Sequence, residues 1–281
     1  MAMGLDAFAK QKDYLICVDS DGCAIDTMDV KHRECFGPCM VAEWGLAAWA
    51  GPILRRWNEI NLYTMTRGIN RFKGLAMALA EIDRQYKPIP GVGALQAWVD
   101  SGAAPSNDAV EQAYRASGEE MFARALRWSQ AVNRAIAALP PEKKRAFPGV
   151  AEGLRAAHAA ADVAVVSSAN RDAVEEEWGR YGLLDSVDLL LCQDAGSKAR
   201  CIAALKEKGY QPGHILMVGD APGDKAAAEQ NGVYFYPILV RREAESWASF
   251  GEALARLQAG SYEDYGREKA KAFLDNLSGN A

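Results

Sequence analysis

Five short apolar runs along the chain predict buried β-strands, at residues 13–20, 162–170, 186–193, 214–220 and 233–239. Their apolar residues do not alternate with polar ones, and such continuous runs are typical of parallel strands that are covered on both faces. Amphipathic stretches with helix start and stop signals lie between the later runs, so helix and strand alternate from residue 148 onward. This alternation predicts an α/β fold with a doubly wound, mostly parallel sheet.

The first two apolar runs are separated by a long segment of a different character. Residues 32–145 contain helical patterns such as "GINRFKGLAMALAEI" but no convincing strand, and they end at the proline-rich linker "LPPEKKRAFPG". This pattern predicts a helical domain of residues 32–145, inserted into a core domain formed by residues 1–31 and 146–281. The segment also holds five of the seven tryptophans, and we expect these to pack mainly in its core.

Composition excludes several classes of protein. The 281 residues are 49% hydrophobic, carry a net charge of −5 and have a pI of about 5.4, so no bulk basic field attracts nucleic acid or an anionic membrane. No apolar run approaches the roughly 20 residues that span a bilayer, and the N-terminus has no signal-peptide pattern. Six cysteines in a chain of this length favour reduced thiols and a cytoplasmic location over a disulfide framework.

Polar side chains collect at the predicted carboxyl ends of the strands or at the helix starts that follow them. They are Asp19, Asp21, Ser167, Ser168, Lys198, Asp220 and Asp224. Ligands of open parallel sheets bind at this edge. Carboxylate clusters hold Mg²⁺ together with a substrate phosphate, a carboxylate can act as a nucleophile, and lysine and hydroxyl donors can stabilise phosphoryl oxygens. The set therefore indicates Mg²⁺-assisted chemistry on a phosphate ester.

These motifs resemble those of the haloacid dehalogenase-like hydrolase superfamily. "DSDGCAIDT" is similar to its DxDG nucleophile motif, "VAVVSS" to its strand that ends in Ser or Thr, and "VGDAPGD" to its acidic motif; Lys198 stands in the place of the motif lysine. The resemblance covers residues 13–31 and 146–238. It implies a phosphatase whose helical insertion forms a cap, a lid over the substrate.

The resemblance also implies a role for each matching residue. Asp19 would be the nucleophile and a Mg²⁺ ligand, and Asp21 the general acid/base whose backbone carbonyl binds the metal. Asp220 would be a further ligand, with Asp224 supporting the metal directly or through water. Lys198 would hold the transferring phosphate with Ser167, and Ser168 is a further candidate for that contact.

The sequence leaves alternatives open for the substrate and the reaction class. We expect a Mg²⁺-dependent phosphatase acting on a small phosphorylated metabolite through an aspartyl-phosphate, with no nucleic-acid or membrane partner and an undefined oligomeric state. A sugar-phosphate mutase and a non-catalytic phosphate-binding module are the alternatives. Candidate specificity residues are Lys31, His32, Arg67 and Arg71, of which Arg67 and Arg71 have the spacing to share a helix face. Ser20 replaces the apolar residue that the family usually has between its aspartates, and we interpret it as a packing variant.

Overall fold

The chain folds into two compact units. The structure, a computed structural model, describes residues 5–102 and 104–279. One unit, here called the α/β unit, comprises Met1–Thr27 and Pro141–Ala281, and the other, the helical unit, comprises Met28–Pro140. The boundaries predicted from the sequence, after residues 31 and 145, lie four and five residues further along the chain than these.

A five-stranded parallel sheet forms the centre of the α/β unit. The strands of the chain are β1 (Leu15–Val18), β2 (Ile25–Asp26), β3 (Arg145–Ala146), β4 (Asp162–Val166), β5 (Leu189–Leu191), β6 (Ile215–Gly219) and β7 (Tyr234–Pro237). The large sheet has the order β5-β4-β1-β6-β7, and all of its pairs are parallel. All five predicted strands are confirmed, each shorter than its apolar run because the polar ends of the runs form loops. The predicted fold class is therefore correct.

A second sheet, of two short strands, joins the segments by which the chain leaves and re-enters the α/β unit. Strands β2 and β3 pair antiparallel, with Ile25 opposite Ala146. The N–H of Phe147 extends this ladder by donating to the carbonyl of Ala24 at 3.0 Å. Two residues per strand are too few to produce a periodicity, so this pair could not be predicted from the sequence.

Helices make up the second unit. They are α1 (Met28–Val30), α2 (Gly37–Trp44), α3 (Ala50–Asn58), α4 (Arg71–Gln85), α5 (Val92–Asp100), α6 (Asn107–Ser117) and α7 (Glu120–Ala137), with π-helical turns at Lys31–Phe36 and Glu59–Tyr63. No strand occurs among the residues of this unit that the structure describes. This agrees with the helical character predicted for the segment.

Aromatic side chains form the core of the helical unit. Trp57 and Trp128 are fully buried, and their rings meet edge-to-face with centroids 6.0 Å apart. Phe36 and Phe72 also pack against Trp128. Edge-to-face contacts of this kind add to the stabilisation that burial alone provides. These tryptophans are therefore core residues, as expected.

Seven further helices complete the α/β unit. They are α8 (Val150–Ala160), α9 (Arg171–Arg180), α10 (Lys198–Lys206), α11 (Pro222–Asn231), α12 (Glu243–Ala248), α13 (Phe250–Gln258) and α14 (Tyr262–Leu277). Two of these helices begin at a side-chain N-cap: the side chain of Asn170 accepts from the N–H of Asp172, and that of Ser197 from the N–H of Arg200. Within residues 5–102 and 104–279, no helix has the length and apolar character needed to cross a membrane.

Candidate active site

The candidate nucleophile follows directly after the central strand of the sheet. Val18, the last residue of β1, pairs with Val165 on one side and Val218 on the other. The N–H of Asp19 continues the ladder by donating to the carbonyl of Val218 at 3.0 Å. The side chain of Asp19 is buried, with 5% of the residue exposed. The strand thus places the carboxylate of Asp19 at the carboxyl edge of the sheet, and the backbone hydrogen bond to Val218 holds this residue in place.

A tight turn follows Asp19 and is closed by the backbone of the next residue. The carbonyl of Ser20 accepts hydrogen bonds from the N–H groups of Cys23, Ala24 and Ile25, and the N–H of Ser20 donates to Oδ1 of Asp19 at 2.7 Å. Gly22 has a φ of 82°, a left-handed conformation that glycine adopts without strain. This geometry explains why glycine ends the "DSDG" motif.

The second carboxylate of the motif is fixed by a side chain at the end of the turn. Asp21 is half-buried, and its Oδ1 accepts a hydrogen bond from Oγ1 of Thr27 at 2.7 Å. The D-T pair that extends the motif therefore has a structural reason, because Thr27 orients the candidate general acid/base. Thr27 itself is fully buried.

The neighbouring strand β6 delivers two more carboxylates. Asp220 follows the strand directly, and Asp224 lies in the first turn of α11; both are buried. Oδ2 of Asp224 accepts from the N–H of Ala221 at 3.0 Å. A Cβ atom on Gly219 would lie 2.3 Å from Cγ of Asp224, so only glycine leaves room for that carboxylate. The "VGD" sequence is therefore a packing requirement of the site.

Lys198 brings the two sides of the site together. Its Nζ lies 2.7 Å from Oδ2 of Asp19 and 2.5 Å from Oδ1 of Asp224. Burial alone would lower the pKa of Lys198, but the charges and hydrogen bonds of Asp19 and Asp224 raise it above its usual range. The lysine is therefore cationic and fixed between the candidate nucleophile and the acidic motif.

The site carries more negative than positive charge. Oxygen atoms of Asp19, Asp220 and Asp224 lie within 4.8 Å of one another, and Lys198 is the cation placed among them. Burial raises the pKa of Asp19 from 3.8 to about 7; Lys198 opposes this shift, and the charges of Asp224 and Asp220 add to it. Three buried carboxylates beside one ammonium leave an excess charge that a divalent cation would neutralise.

The donor set fits Mg²⁺, which prefers carboxylate oxygens and retains several waters. Asp19, Asp220 and Asp224 are the side chains whose oxygens lie close enough together to hold it. Both oxygens of Asp224 accept hydrogen bonds, from Lys198 and Ala221, and both oxygens of Asp19 are likewise engaged, by Lys198 and Ser20. All three acids were predicted to serve the metal, and the structure brings all three together.

The predicted phosphate-binding serines differ in their surroundings. Ser167 directly follows β4, the strand that neighbours β1, and it is buried; its Oγ accepts from the N–H of Ala169 at 3.2 Å. Ser168 is exposed. The strand register places Ser167 at the same sheet edge as Asp19, so it is the better candidate of the two for a contact with phosphate.

One contact of the site was missed from the sequence. The indole Nε1 of Trp178, in α9, donates to Oγ of Ser20 at 2.9 Å, and both residues are fully buried. Ser20 is thus more than a packing variant. The two residues are 158 positions apart, so no local pattern could reveal the contact.

Two of the candidate specificity residues lie in the π-helical turn that begins the helical unit. Lys31 and His32 are both buried. The ring of His32 stacks on that of Phe36 with centroids 4.5 Å apart, and its Nδ1 accepts from Nε1 of Trp57 at 3.2 Å. His32 is therefore held within the aromatic core of this unit.

The other two candidates do not share a helix face, and that expectation is wrong. Arg67 lies in a turn that ends at Gly68, with φ of 69°, whereas Arg71 is the first residue of α4. Arg67 is buried, and its Nη1 donates to the carbonyl of Leu62 at 2.8 Å. The helical spacing failed because α4 begins only at Arg71, after the left-handed Gly68 and the N-cap Asn70.

Arg71 is a half-buried cation with neutral partners. Its Nη1 donates to Oγ of Ser129 at 3.0 Å and to Oδ1 of Asn133 at 2.7 Å, and its guanidinium lies 5.1 Å from the ring centroid of Phe36. Burial lowers the pKa of Arg71. No carboxylate lies within 4.0 Å of it among residues 5–102 and 104–279, whereas Arg56 of the same unit binds Glu81 with two nitrogen atoms.

Comparisons with known proteins agree with this architecture. A hydrolase from Streptococcus pneumoniae of the haloacid dehalogenase-like family is 13% identical, with a TM-score of 0.51 over 83% of this chain and 90% of that chain. A hydrolase of the same family from Xanthomonas campestris is 17% identical, with a TM-score of 0.51 over 95% of this chain and 98% of that one. At these identities the likeness shows the fold alone. A search of curated proteins found no significant match.

A family model provides the sequence-level match. The model described as "Haloacid dehalogenase-like hydrolase" matches residues 101–238, which include Ser167, Lys198, Asp220 and Asp224. Asp19 and Asp21 precede the matched region, and their assignment depends on the "DSDG" motif and the geometry above. Residues 101–238 therefore belong to the haloacid dehalogenase-like hydrolase family, and the fold and the motif at Asp19 and Asp21 agree with this.

Proposed function

We propose that this hydrolase is a Mg²⁺-dependent phosphatase that cleaves a small phosphate monoester through an aspartyl-phosphate intermediate. The observation that carries the proposal is the buried group of Asp19, Asp220 and Asp224, tied together by Lys198 at the carboxyl ends of β1 and β6. Such a site offers a nucleophile, a metal position and a fixed cation within one small volume. These are the parts that transfer of a dianionic phosphoryl group requires.

In the first half of the proposed reaction, an oxygen of Asp19 attacks phosphorus and the bond to the ester oxygen breaks. Asp21, oriented by Thr27, donates its proton to that leaving oxygen. Lys198 and Ser167 would donate hydrogen bonds to the phosphoryl oxygens while the charge is redistributed. A bound Mg²⁺ would supply further neutralisation of the phosphate charge, with Asp19, Asp220 and Asp224 as its candidate side-chain ligands.

In the second half, water releases the phosphate. Asp21, now ionised, takes a proton from the attacking water, and the bond between phosphorus and the oxygen of Asp19 breaks. The products are inorganic phosphate and the regenerated carboxylate. Lys198 keeps that carboxylate in place through its 2.7 Å contact, ready for the next substrate.

Phosphate release from a panel of esters tests the reaction. The panel is assayed with Mg²⁺ and with chelator, for the wild type, Asp19→Asn and Asp21→Asn. Metal-dependent turnover is expected for the wild type and none for Asp19→Asn, while Asp21→Asn loses about 10²–10⁴-fold in kcat. Turnover that persists in Asp19→Asn would contradict the aspartyl-phosphate mechanism. Isomerised product without stoichiometric phosphate release would indicate a mutase instead.

A further inference from the structure

The residue between the two candidate catalytic aspartates has a polar side chain in a fully enclosed position. Ser20 is 0% exposed, and so is Trp178, whose Nε1 donates to its Oγ at 2.9 Å. An indole nitrogen is a donor only, and a buried polar group must be paired. The contact therefore fixes Ser20 to α9 in a place that water does not reach.

The backbone of Ser20 controls the geometry on both sides of it. Its N–H donates to Oδ1 of Asp19, and this bond selects one rotamer of the carboxylate. Its carbonyl accepts three N–H groups, those of residues 23–25, and so closes the loop that contains Asp21. A small rotation of Ser20 would move both aspartates at once.

Helix α9, which carries Trp178, is held in place by contacts with Lys144. Glu177, which precedes Trp178, lies with its Oε1 3.6 Å from Nζ of Lys144, and both side chains are buried. Tyr181, one residue beyond α9, donates from its hydroxyl to the carbonyl of Lys144 at 3.0 Å. Lys144 precedes β3, which pairs with β2 at the end of the Ser20 loop. The helix is thus fixed to both segments of the chain that border the site.

We propose that Ser20 and Trp178 are positioning residues: their buried hydrogen bond orients Asp19 for attack and for metal binding. This inference rests on the proposed phosphatase function for its kinetic consequence only. Its structural consequence, the order of the turn at residues 19–25, exists whatever the reaction is. The contact acts through Ser20 on the carboxylates, and neither side chain needs to touch the substrate.

The test removes the hydrogen bond between Trp178 and Ser20 by replacing either the donor or the acceptor. Ser20→Ala, Trp178→Phe and the double variant are compared with the wild type and with Tyr262→Phe. The control removes a different buried hydrogen bond of the same unit, from the hydroxyl of Tyr262 to the carbonyl of Phe235 at 2.9 Å. Three quantities are measured for each folded protein: kcat and KM for the best ester, the Kd for Mg²⁺ by calorimetry, and hydrogen exchange of amides 20–25 without metal.

Each single variant should lower kcat by at least tenfold and leave the KM for the ester within twofold. The Kd for Mg²⁺ should rise and amides 20–25 should exchange faster, because Asp19 and its turn lose their support. The double variant should be no slower than the slower single variant, since both changes break the same bond. Tyr262→Phe should match the wild type in kcat and in Mg²⁺ affinity.

Two results would overturn the inference. One is a kcat within twofold of the wild-type value in both single variants; the other is a pair of losses that multiply in the double variant. If the wild type hydrolyses no ester, the proposed function fails and the inference is decided by the other two measurements. Unchanged Mg²⁺ affinity and unchanged exchange in both variants would then overturn it.

Discussion

Replacing the nucleophile should make the metal-free protein more stable, although it removes activity. Asp19 is buried beside Asp220 and Asp224, and burial raises its pKa from 3.8 to about 7. The asparagine side chain of the Asp19→Asn variant has nearly the shape of the protonated acid and cannot ionise. The variant therefore removes an ionisation that the folded, metal-free site disfavours.

The size of the stabilisation expected for Asp19→Asn follows from the shift in the pKa of Asp19. In the unfolded chain Asp19 ionises near pH 4, whereas in the folded protein it keeps its proton until about pH 7. Between these values the unfolded state binds fewer protons, so the free energy of unfolding decreases as the pH rises. A shift of about three units, at about 1.4 kcal/mol each, amounts to about 4 kcal/mol above pH 7. Below pH 4 Asp19 is protonated in both the folded and the unfolded state, and this contribution to the free energy of unfolding disappears.

Thermal and urea unfolding of the wild type and Asp19→Asn in chelator, from pH 4 to pH 8, measure this difference. At pH 8 the variant should be more stable by up to about 4 kcal/mol, equivalent to a rise in Tm of roughly 10 °C. Near pH 4 the two should be equally stable. Saturating Mg²⁺ should stabilise the wild type, by about 2.7 kcal/mol at 100 times its Kd, and the variant less. A variant that is less stable than the wild type at pH 8 without metal would refute the reasoning.

Three further changes have definite expected results. Gly219→Ala should lower the free energy of unfolding by about 1–3 kcal/mol and weaken Mg²⁺ binding in calorimetry, because the new Cβ would overlap the carboxylate of Asp224; Mg²⁺ affinity equal to that of the wild type would contradict this. Thr27→Val should lower kcat while leaving the ester KM unchanged, because Asp21 loses the hydroxyl that orients it; a pH–rate profile and kcat equal to those of the wild type would show that the bond is dispensable. Asn170→Ala should cost about 1 kcal/mol of stability in urea unfolding through loss of the α9 N-cap and should leave Mg²⁺ affinity intact; a large loss of affinity would mean that Asn170 belongs to the site.

The sequence predicted the parts of this molecule that local patterns encode. The apolar runs gave all five strands of the large sheet, because a strand buried on both faces must be continuously apolar. The rule that ligands bind at the carboxyl ends of parallel strands then brought Asp19, Asp220, Asp224 and Lys198 to one edge, where the structure also has them.

The contacts that the sequence did not predict join distant residues or depend on single backbone angles. The bond between Trp178 and Ser20 spans 158 positions. The two-residue strands β2 and β3 are shorter than any detectable period. Arg67 and Arg71 have helical spacing, but the left-handed conformation of Gly68 separates them. Sequence patterns therefore locate the candidate catalytic side chains, but they do not reveal the long-range contacts that hold these side chains in position.

The order of the strands has a consequence for synthesis on the ribosome. Strand β1 lies in the middle of the sheet, yet its partners begin at Asp162 and Ile215. At a translation rate of about 5–20 residues per second, β1 waits roughly 7–30 s before the first partner is made. The helical unit, made during that interval, has its own core and can fold first. The strand that carries the nucleophile is therefore an exposed apolar segment during synthesis, and a chaperone that binds such segments should capture truncated chains ending before residue 160.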